Sequence, residues 1–424
     1  MKKPKKNYWE ERSRMSNIPK LRFPEFSGEW EEKKLSDFMT RLTRKNSNNE
    51  SSRALTISSV DGLIDQGEFF KKQIASKDTS GYYLLKKGDF AYNKSYSVGY
   101  DYGSIKRLDR YEDGVVSTLY ICMSLTSDTN SDYLTHYFDS MKWNKSVSEI
   151  SAEGARNHGL LNIPTEAFFQ TKHFLAPSSA EQQKIANFLS NVDSIITAET
   201  KILNTLQKKK KALMQKLFTR QLRFKSDDGT DFPAWEETLI KNIALQVTVG
   251  IANSATHAYR ADGVIMFRNQ NIKENYLDDT DIIYISNDFE ETYKNKRLKK
   301  YDILVTRTGY PGIACVVPEK YENAQTFTTL ILRLKLEKCN PFYICQFINS
   351  PLGKKYIKLT QIGGGQKNSG AGILEKMPIK LPCIEEQQKI ADCLSSIDSL
   401  IQNQQKVVTT WQQRKKALLQ QLFI

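Results

Sequence analysis

The six residues EQQKIA stand at Glu181–Ala186 and again at Glu386–Ala391, 205 positions later in a chain of 424. At that constant offset the likeness continues without a gap. EQQKIANFLSNVDSIITAETKILNTLQKKKKALMQKLF lines up on EQQKIADCLSSIDSLIQNQQKVVTTWQQRKKALLQQLF, and further upstream Trp30-Glu31-Glu32 lines up on Trp235-Glu236-Glu237. A repeat of nearly half the chain admits few architectures. The chain is built as two copies of one unit, each running from a tryptophan to a phenylalanine, Phe218 or Phe423.

The end of each copy reads as one long helix. It holds no Pro or Gly and opens after APSSAEQQ or LPCIEEQQ, with Pro and acidic residues at its start. Its apolar residues follow a heptad: Ile185, Leu189, Val192, Ile196, Leu203, Leu206, Leu213 and Leu217 in the first copy. The second copy gives Ile390, Leu394, Ile397, Ile401, Val408, Trp411, Leu418 and Leu422. Alternating steps of three and four are the seam of a coiled coil. Two seam positions are polar in both copies, Glu199/Gln404 and Lys210/Lys415. A parallel pair sets Lys210 against Lys415. An antiparallel pair with a constant index sum of 614 sets Glu199 against Lys415 and Lys210 against Gln404. The antiparallel arrangement is therefore expected. At about 1.5 Å per residue the seam is about 50 Å long, and it holds two globular parts at opposite ends about a pseudo-twofold.

The segments between these anchors, Trp30 to Phe174 and Trp235 to Ile379, match only at scattered points. KKGDFAYNKSYSVGY corresponds loosely to KKYDILVTRTGYPGI, and GVVSTLYICMSL to QTFTTLILRLKL. A helical stretch and a Gly-rich polar loop then follow in each. The fold class is α+β: two similar domains with different surface chemistry, joined by two long helices that form an antiparallel coiled coil. The candidate binding residues lie at the matching places. One strand end carries Tyr92, Asn93, Lys94, Ser95 and Tyr96; the other carries Thr306, Arg307 and Thr308. The Gly-rich loops carry Arg156, Asn157 and His158 in one domain and Gln366, Lys367 and Asn368 in the other. Arg268, Asn269 and Gln270 form a further polar cluster. Arg, Lys, Asn and Gln read base edges in a duplex groove, and glycine lets a backbone approach a phosphate. Any one such loop is an ordinary polar turn; both kinds recurring at matching places give the set its weight. The tyrosines around Tyr82–Tyr102 fit strand packing better than base stacking.

Net charge is +14. A basic balance points to a polyanion, most often nucleic acid. The six cysteines show no C-x-x-C pair and the four histidines no metal-ligand spacing, so reduced thiols and no metal site are expected. No apolar run approaches the roughly 18 residues of a membrane span, and the basic N-terminus has no apolar stretch behind it. Met15 is a second candidate start. The chain lacks a phosphate-binding G-x-x-x-x-G-K-[ST] loop, a dinucleotide G-x-G-x-x-G signature and any nominable Ser/His/Asp or Cys/His set. It reads as a recognition protein without chemistry of its own.

Over nearly its whole length the layout resembles the specificity (S) subunit of type I restriction-modification systems. The resemblance is carried by LRFPEFSGEWEEKKL from Leu21, GDFAYNKSYSVGYDYGSIKRL from Gly88, GARNHGLLNIPTEAFF from Gly154, and the EQQKIA element that twice heads a heptad helix. The resemblance implies two target-recognition domains, residues 20–177 and 221–383, preceded by a basic arm, 1–19. It implies spacer helices at 178–220 and 384–424. Each domain reads one half of a split double-stranded DNA target, asymmetric here because the domains differ. Two methyltransferase subunits, which modify adenine at N6 with S-adenosylmethionine, dock on the helices. Up to two restriction subunits add ATP- and Mg-dependent cleavage. This chain is then non-catalytic, binds no cofactor itself, has no membrane partner, and works in the prokaryotic cytoplasm at the nucleoid. Domains held by a rigid helix pair meet half-sites about one duplex turn apart, about 34 Å, which makes the helices a ruler for the gap. The competing reading is a stand-alone DNA-binding protein of the same shape. Phe188, Ile195 and Ile202 lie off the seam and favour docked partners.

Overall fold

The computed structural model describes residues 17–70, 76, 78–151, 159, 161–361 and 370–424. It divides into two units, Met1–Ala198 with Val408–Ile424, and Glu199–Val407. Both are mixtures of sheet and helix, and among the described residues no helix is long and apolar enough to cross a membrane.

A four-stranded antiparallel sheet of one order forms the centre of each unit. In the first, β1 (Met39–Arg41), β2 (Phe90–Asn93), β3 (Ser104–Arg107) and β4 (Ile121–Leu125) are ordered β1-β4-β2-β3. In the second, β5 (Ala244–Val249), β6 (Ile303–Val305), β7 (Ala314–Val316) and β8 (Leu330–Leu334) are ordered β5-β8-β6-β7. A helix packs on each sheet, α1 (Ser131–Asp139) in one and α3 (Pro341–Asn349) in the other. Asn130 and Asn340 cap these helices by accepting from backbone N–H groups of the first turn, and Pro341 occupies a first-turn position that needs no donor. Around the central sheets the units diverge. The first adds the two-stranded pairs Leu55–Ser58 with Gly62–Asp65 and Tyr83–Lys86 with Asp113–Val116. The second adds a further four-stranded sheet containing Val264–Phe267 and Ile283–Ile285.

The long helices are α2 (Ser179–Phe218) and α5 (Ile384–Leu422). The repeated hexamer at their heads is a socket in which every residue has a place. Glu181 is buried and receives both Arg22 (Nε–Oε1 2.7 Å, Nη2–Oε2 2.8 Å) and the Trp30 indole N–H (3.2 Å). Glu386 receives Arg223 (3.1 and 2.7 Å) and Trp235 (2.8 Å) in the same way. Gln182 accepts the Asn130 backbone N–H (2.9 Å) and donates to the Ala176 carbonyl (2.8 Å), while Gln183 accepts the Asn130 side-chain amide (2.7 Å). Gln387 and Gln388 repeat these bonds with Asn340 and the Pro382 carbonyl. Lys184 pairs with Glu25 and Lys389 with Asp227. Ile185 and Ala186, like Ile390 and Ala391, enter the hydrophobic cores. A buried carboxylate is stable only when paired and hydrogen-bonded. Each glutamate thus obliges the arginine and tryptophan from the start of its domain to close on the helix at its end.

In the second unit α2 and α5 run antiparallel, as the seam pattern predicts. The register differs from the expectation that sets Glu199 opposite Lys415 and Lys210 opposite Gln404. Glu199 instead accepts from Gln404 (Nε2 to the Glu199 carbonyl, 3.1 Å), and the buried Lys210 is paired with Asp398. In the first unit Lys415 is held by Asp193 (2.7 Å). The reason is electrostatic. Asp193 and Asp398 lie one position past the seam residues Val192 and Ile397, and a carboxylate is a stronger partner for a half-buried ammonium than an amide. Phe188, Ile195 and Ile202 are exposed, and so are Leu400 and Val407 at the positions equivalent to Ile195 and Ile202.

Candidate nucleic-acid interface

The strand ends singled out in the sequence are fixed from behind by an aspartate. In β2, Asp89 accepts from the Lys86 backbone N–H (2.7 Å), from Arg44 (2.8 Å) and from the Ser124 hydroxyl (2.7 Å). In β6, Asp302 accepts from the Lys299 backbone N–H (2.8 Å) and from both nitrogens of the Arg333 fork (2.8 and 2.7 Å). The residue before each aspartate has a left-handed backbone, Gly88 at φ +93° and Tyr301 at φ +71°. These shared constraints align the strands: Asn93 corresponds to Thr306, Lys94 to Arg307 and Ser95 to Thr308.

Not every nominated residue reaches the surface. Tyr92 is 0% exposed: its ring stacks on Phe168 (4.8 Å), meets Trp143 edge-on (5.4 Å), and its hydroxyl donates to the Tyr102 carbonyl (2.7 Å). Burial raises its pKa well above the ordinary value. It is a core residue, and the expectation that it contacts DNA is corrected. Thr306 is likewise 3% exposed, donating to the Tyr310 carbonyl (2.7 Å) and accepting from the Ile313 N–H (2.9 Å), so it shapes the loop from inside.

The others form two surfaces. In the first unit Asn93 accepts the Ser95 N–H (3.0 Å), Lys94 and Ser95 are half-buried, and Tyr96 is 54% exposed. The Tyr96 N–H donates to the Gly159 carbonyl (2.6 Å) and the Leu161 N–H to the Lys94 carbonyl (3.0 Å). The chain that follows the Gly-rich loop therefore lies along this strand end. Arg156, Asn157 and His158 fall outside the described residues. Close approach is built in: a Cβ on Gly103, at φ +78°, would stand 2.0 Å from the Asn93 carbonyl oxygen. The Lys94 ammonium has no partner among the described residues, and burial lowers its pKa.

In the second unit the structure joins two clusters that are far apart in sequence. The Asn269 carboxamide accepts the Arg307 N–H (3.1 Å) and donates to the hydroxyls of Thr308 (2.9 Å) and Thr328 (3.1 Å). Arg268 and Gln270 both donate to Asp281 (2.9 and 2.5 Å), which commits them to an internal network. Arg307 has no side-chain partner among the described residues, and its Nε is buried and unbonded. Beyond it Tyr310 stands 83% exposed, a residue the sequence reading passed over although TGYPG marks a tight turn with an aromatic tip. Gln366, Lys367 and Asn368 fall outside the described residues. The helix before them, α4 (Pro351–Gln361), touches this loop: a Cβ on Gly312 would lie 2.8 Å from Ile357 Cδ1. Each surface thus offers a cation without a counter-ion among the described residues, an exposed tyrosine and polar backbone. That suits recognition of an anionic, planar ligand.

The family profile described as "Type I restriction modification DNA specificity domain" matches residues 235–410. The MjaVIII type I restriction enzyme specificity subunit of Methanocaldococcus jannaschii is 25% identical over 326 residues, 73% of this chain and 73% of that protein. Among solved structures, a type I restriction-modification S subunit from M. genitalium superposes with a TM-score of 0.57 at 12% identity, covering 96% of this chain and 99% of that one. A chain from a study of assembly and conformational transition of the type I system gives 0.52 at 16% identity, covering 93% and 97%. At these identities the two structures speak for the fold.

Proposed function

We propose that the chain is a specificity subunit of a type I restriction-modification system, without catalysis of its own, and that each of its two units reads one half of a bipartite, asymmetric duplex DNA target. The observation that carries this reading is the repeated sheet. One strand order leads twice to a cation without a partner among the described residues, and the loops around the two cations differ. A shared frame with divergent loops suits two half-sites of different sequence. The net charge of +14 supplies the sequence-independent attraction to phosphate.

The same reading assigns the exposed apolar residues of the helices, Phe188, Ile195 and Ile202, to docking of two methyltransferase subunits. S-adenosylmethionine belongs to those subunits, and ATP and Mg to as many as two restriction subunits. The complex works in the cytoplasm on the nucleoid. The domains are residues 20–177 and 221–383, with spacer helices at 178–220 and 384–424.

A genome-wide map of N6-methyladenine in cells with and without this gene tests the reading. A split, asymmetric motif that disappears on deletion is the expected result. An unchanged map in cells that express the partner methyltransferase overturns it.

A further inference from the structure

Lys94 and Arg307 occupy one structural position. Each follows an inner strand of its sheet, five residues beyond an aspartate that fixes the strand start, and that aspartate follows a residue with positive φ. Four other described arginines of the second unit hold carboxylates, Arg223 with Glu386, Arg268 with Asp281, Arg297 with Glu290 and Arg333 with Asp302, and Arg260 donates to the His257 and Tyr259 carbonyls. Arg307 holds none among the described residues, and one of its donors is buried without a partner. Lys94 is half-buried and also unpaired among them.

A buried donor left unbonded costs free energy, so a retained one calls for a ligand that brings acceptors. Phosphate is one such ligand, but both cations sit on backbone held by hydrogen bonds: the Arg307 N–H on Asn269, the Lys94 carbonyl on Leu161. Phosphate contacts position a protein and carry no sequence information, whereas telling bases apart requires fixed geometry. The guanine O6 and N7 acceptors match a guanidinium fork, and an ammonium can reach the same pair. We infer that Arg307 reads a guanine in the half-site of the second unit and that Lys94 reads the equivalently placed guanine in the half-site of the first. The inference rests on the two-half-site function proposed above.

Methylation maps of cells carrying Arg307→Ala, Arg307→Gln or Lys94→Ala in place of the wild-type chain, with its own methyltransferase subunits, test it. Arg307→Ala should lower discrimination at one guanine of one half-site by about 10- to 100-fold and leave the other half-site unchanged. Arg307→Gln should shift that position towards adenine, the base a carboxamide reads. Lys94→Ala should relax a guanine in the opposite half-site. An unaltered motif overturns the inference. So does methylation that falls evenly over all sites while thermal melting of the purified variant stays at the wild-type temperature, because that is the signature of a phosphate contact. If the alanine variant does not fold, the glutamine variant decides by whether the base preference moves. A wild-type chain that yields no split motif would instead overturn the function on which the inference rests.

Discussion

His173 shows how closely single side chains are specified. It lies in the core of the first unit, edge-on to Phe38, with its ring nitrogens 2.8 Å from the Tyr137 and Thr171 hydroxyls. The Thr171 hydroxyl already donates to the Phe168 carbonyl (2.6 Å). Nε2 must then carry the proton, and Nδ1 accepts from Tyr137. A second proton on Nδ1 would force the Tyr137 hydroxyl to turn its own hydrogen away, and burial lowers the pKa to about 4. The unfolded chain binds that proton below about pH 6.5, so stability is complete above this value and declines as pH falls towards 4. Between pH 7 and pH 5 the loss from this residue is about 2 kcal/mol. His136, also lowered by burial, adds a loss of the same sign. Denaturant titrations at the two pH values should show the loss in the wild type and a smaller one in His173→Asn. An equal loss in both would contradict this account. Legibility at this scale is uneven. That Tyr92 faces inward follows from Phe90 two residues earlier on the same strand face. The partners of Glu181 were not legible, because Arg22 and Trp30 lie more than 150 residues away and nothing local names them.

At the scale of elements, the heptads declared both long helices, because spacing fixes a seam, and the lysines at Lys210 and Lys415 argued for the antiparallel sense by ruling out a parallel pair. Register was declared wrongly, with Glu199 set against Lys415 and Lys210 against Gln404. It is set by Asp193 and Asp398, which flank the seam and which an inventory of seam positions omits. Lys210 is buried, its partner Asp398 is largely so, and the pair is further tied by the Gln346 amide (2.6 Å). Removing one member of such a pair strands a charge, whereas replacing both by apolar residues of similar size is often neutral. Asp398→Leu should therefore cost about 3 kcal/mol of unfolding free energy, and Lys210→Met combined with Asp398→Leu should recover most of it. Chemical denaturation of the three variants measures the coupling. Additive losses in the double variant would show that the pair does not act as a unit.

At the scale of the whole molecule, the offset of 205 was the most informative observation available from the sequence. It foretold two units, and the units share a sheet order as well as a length. The added strand pairs of one unit and the second four-stranded sheet of the other were not foretold. They occupy the stretches where the copies cease to align, and apart from the Leu55–Asp65 hairpin their pairing joins strands well separated in sequence. This division between constant frame and variable surround is what the proposed function requires. It implies that a unit carries its base preference with it. The most direct test is a chain in which residues 235–385 are replaced by a second copy of residues 30–180, so that the substituted segment begins at the equivalent tryptophan and ends just before the second EQQKIA. The methylated motif written by this chain with its own methyltransferase is then mapped. The account predicts one wild-type half-site appearing twice in inverted orientation, a palindrome. A motif that keeps both original half-sites would contradict it.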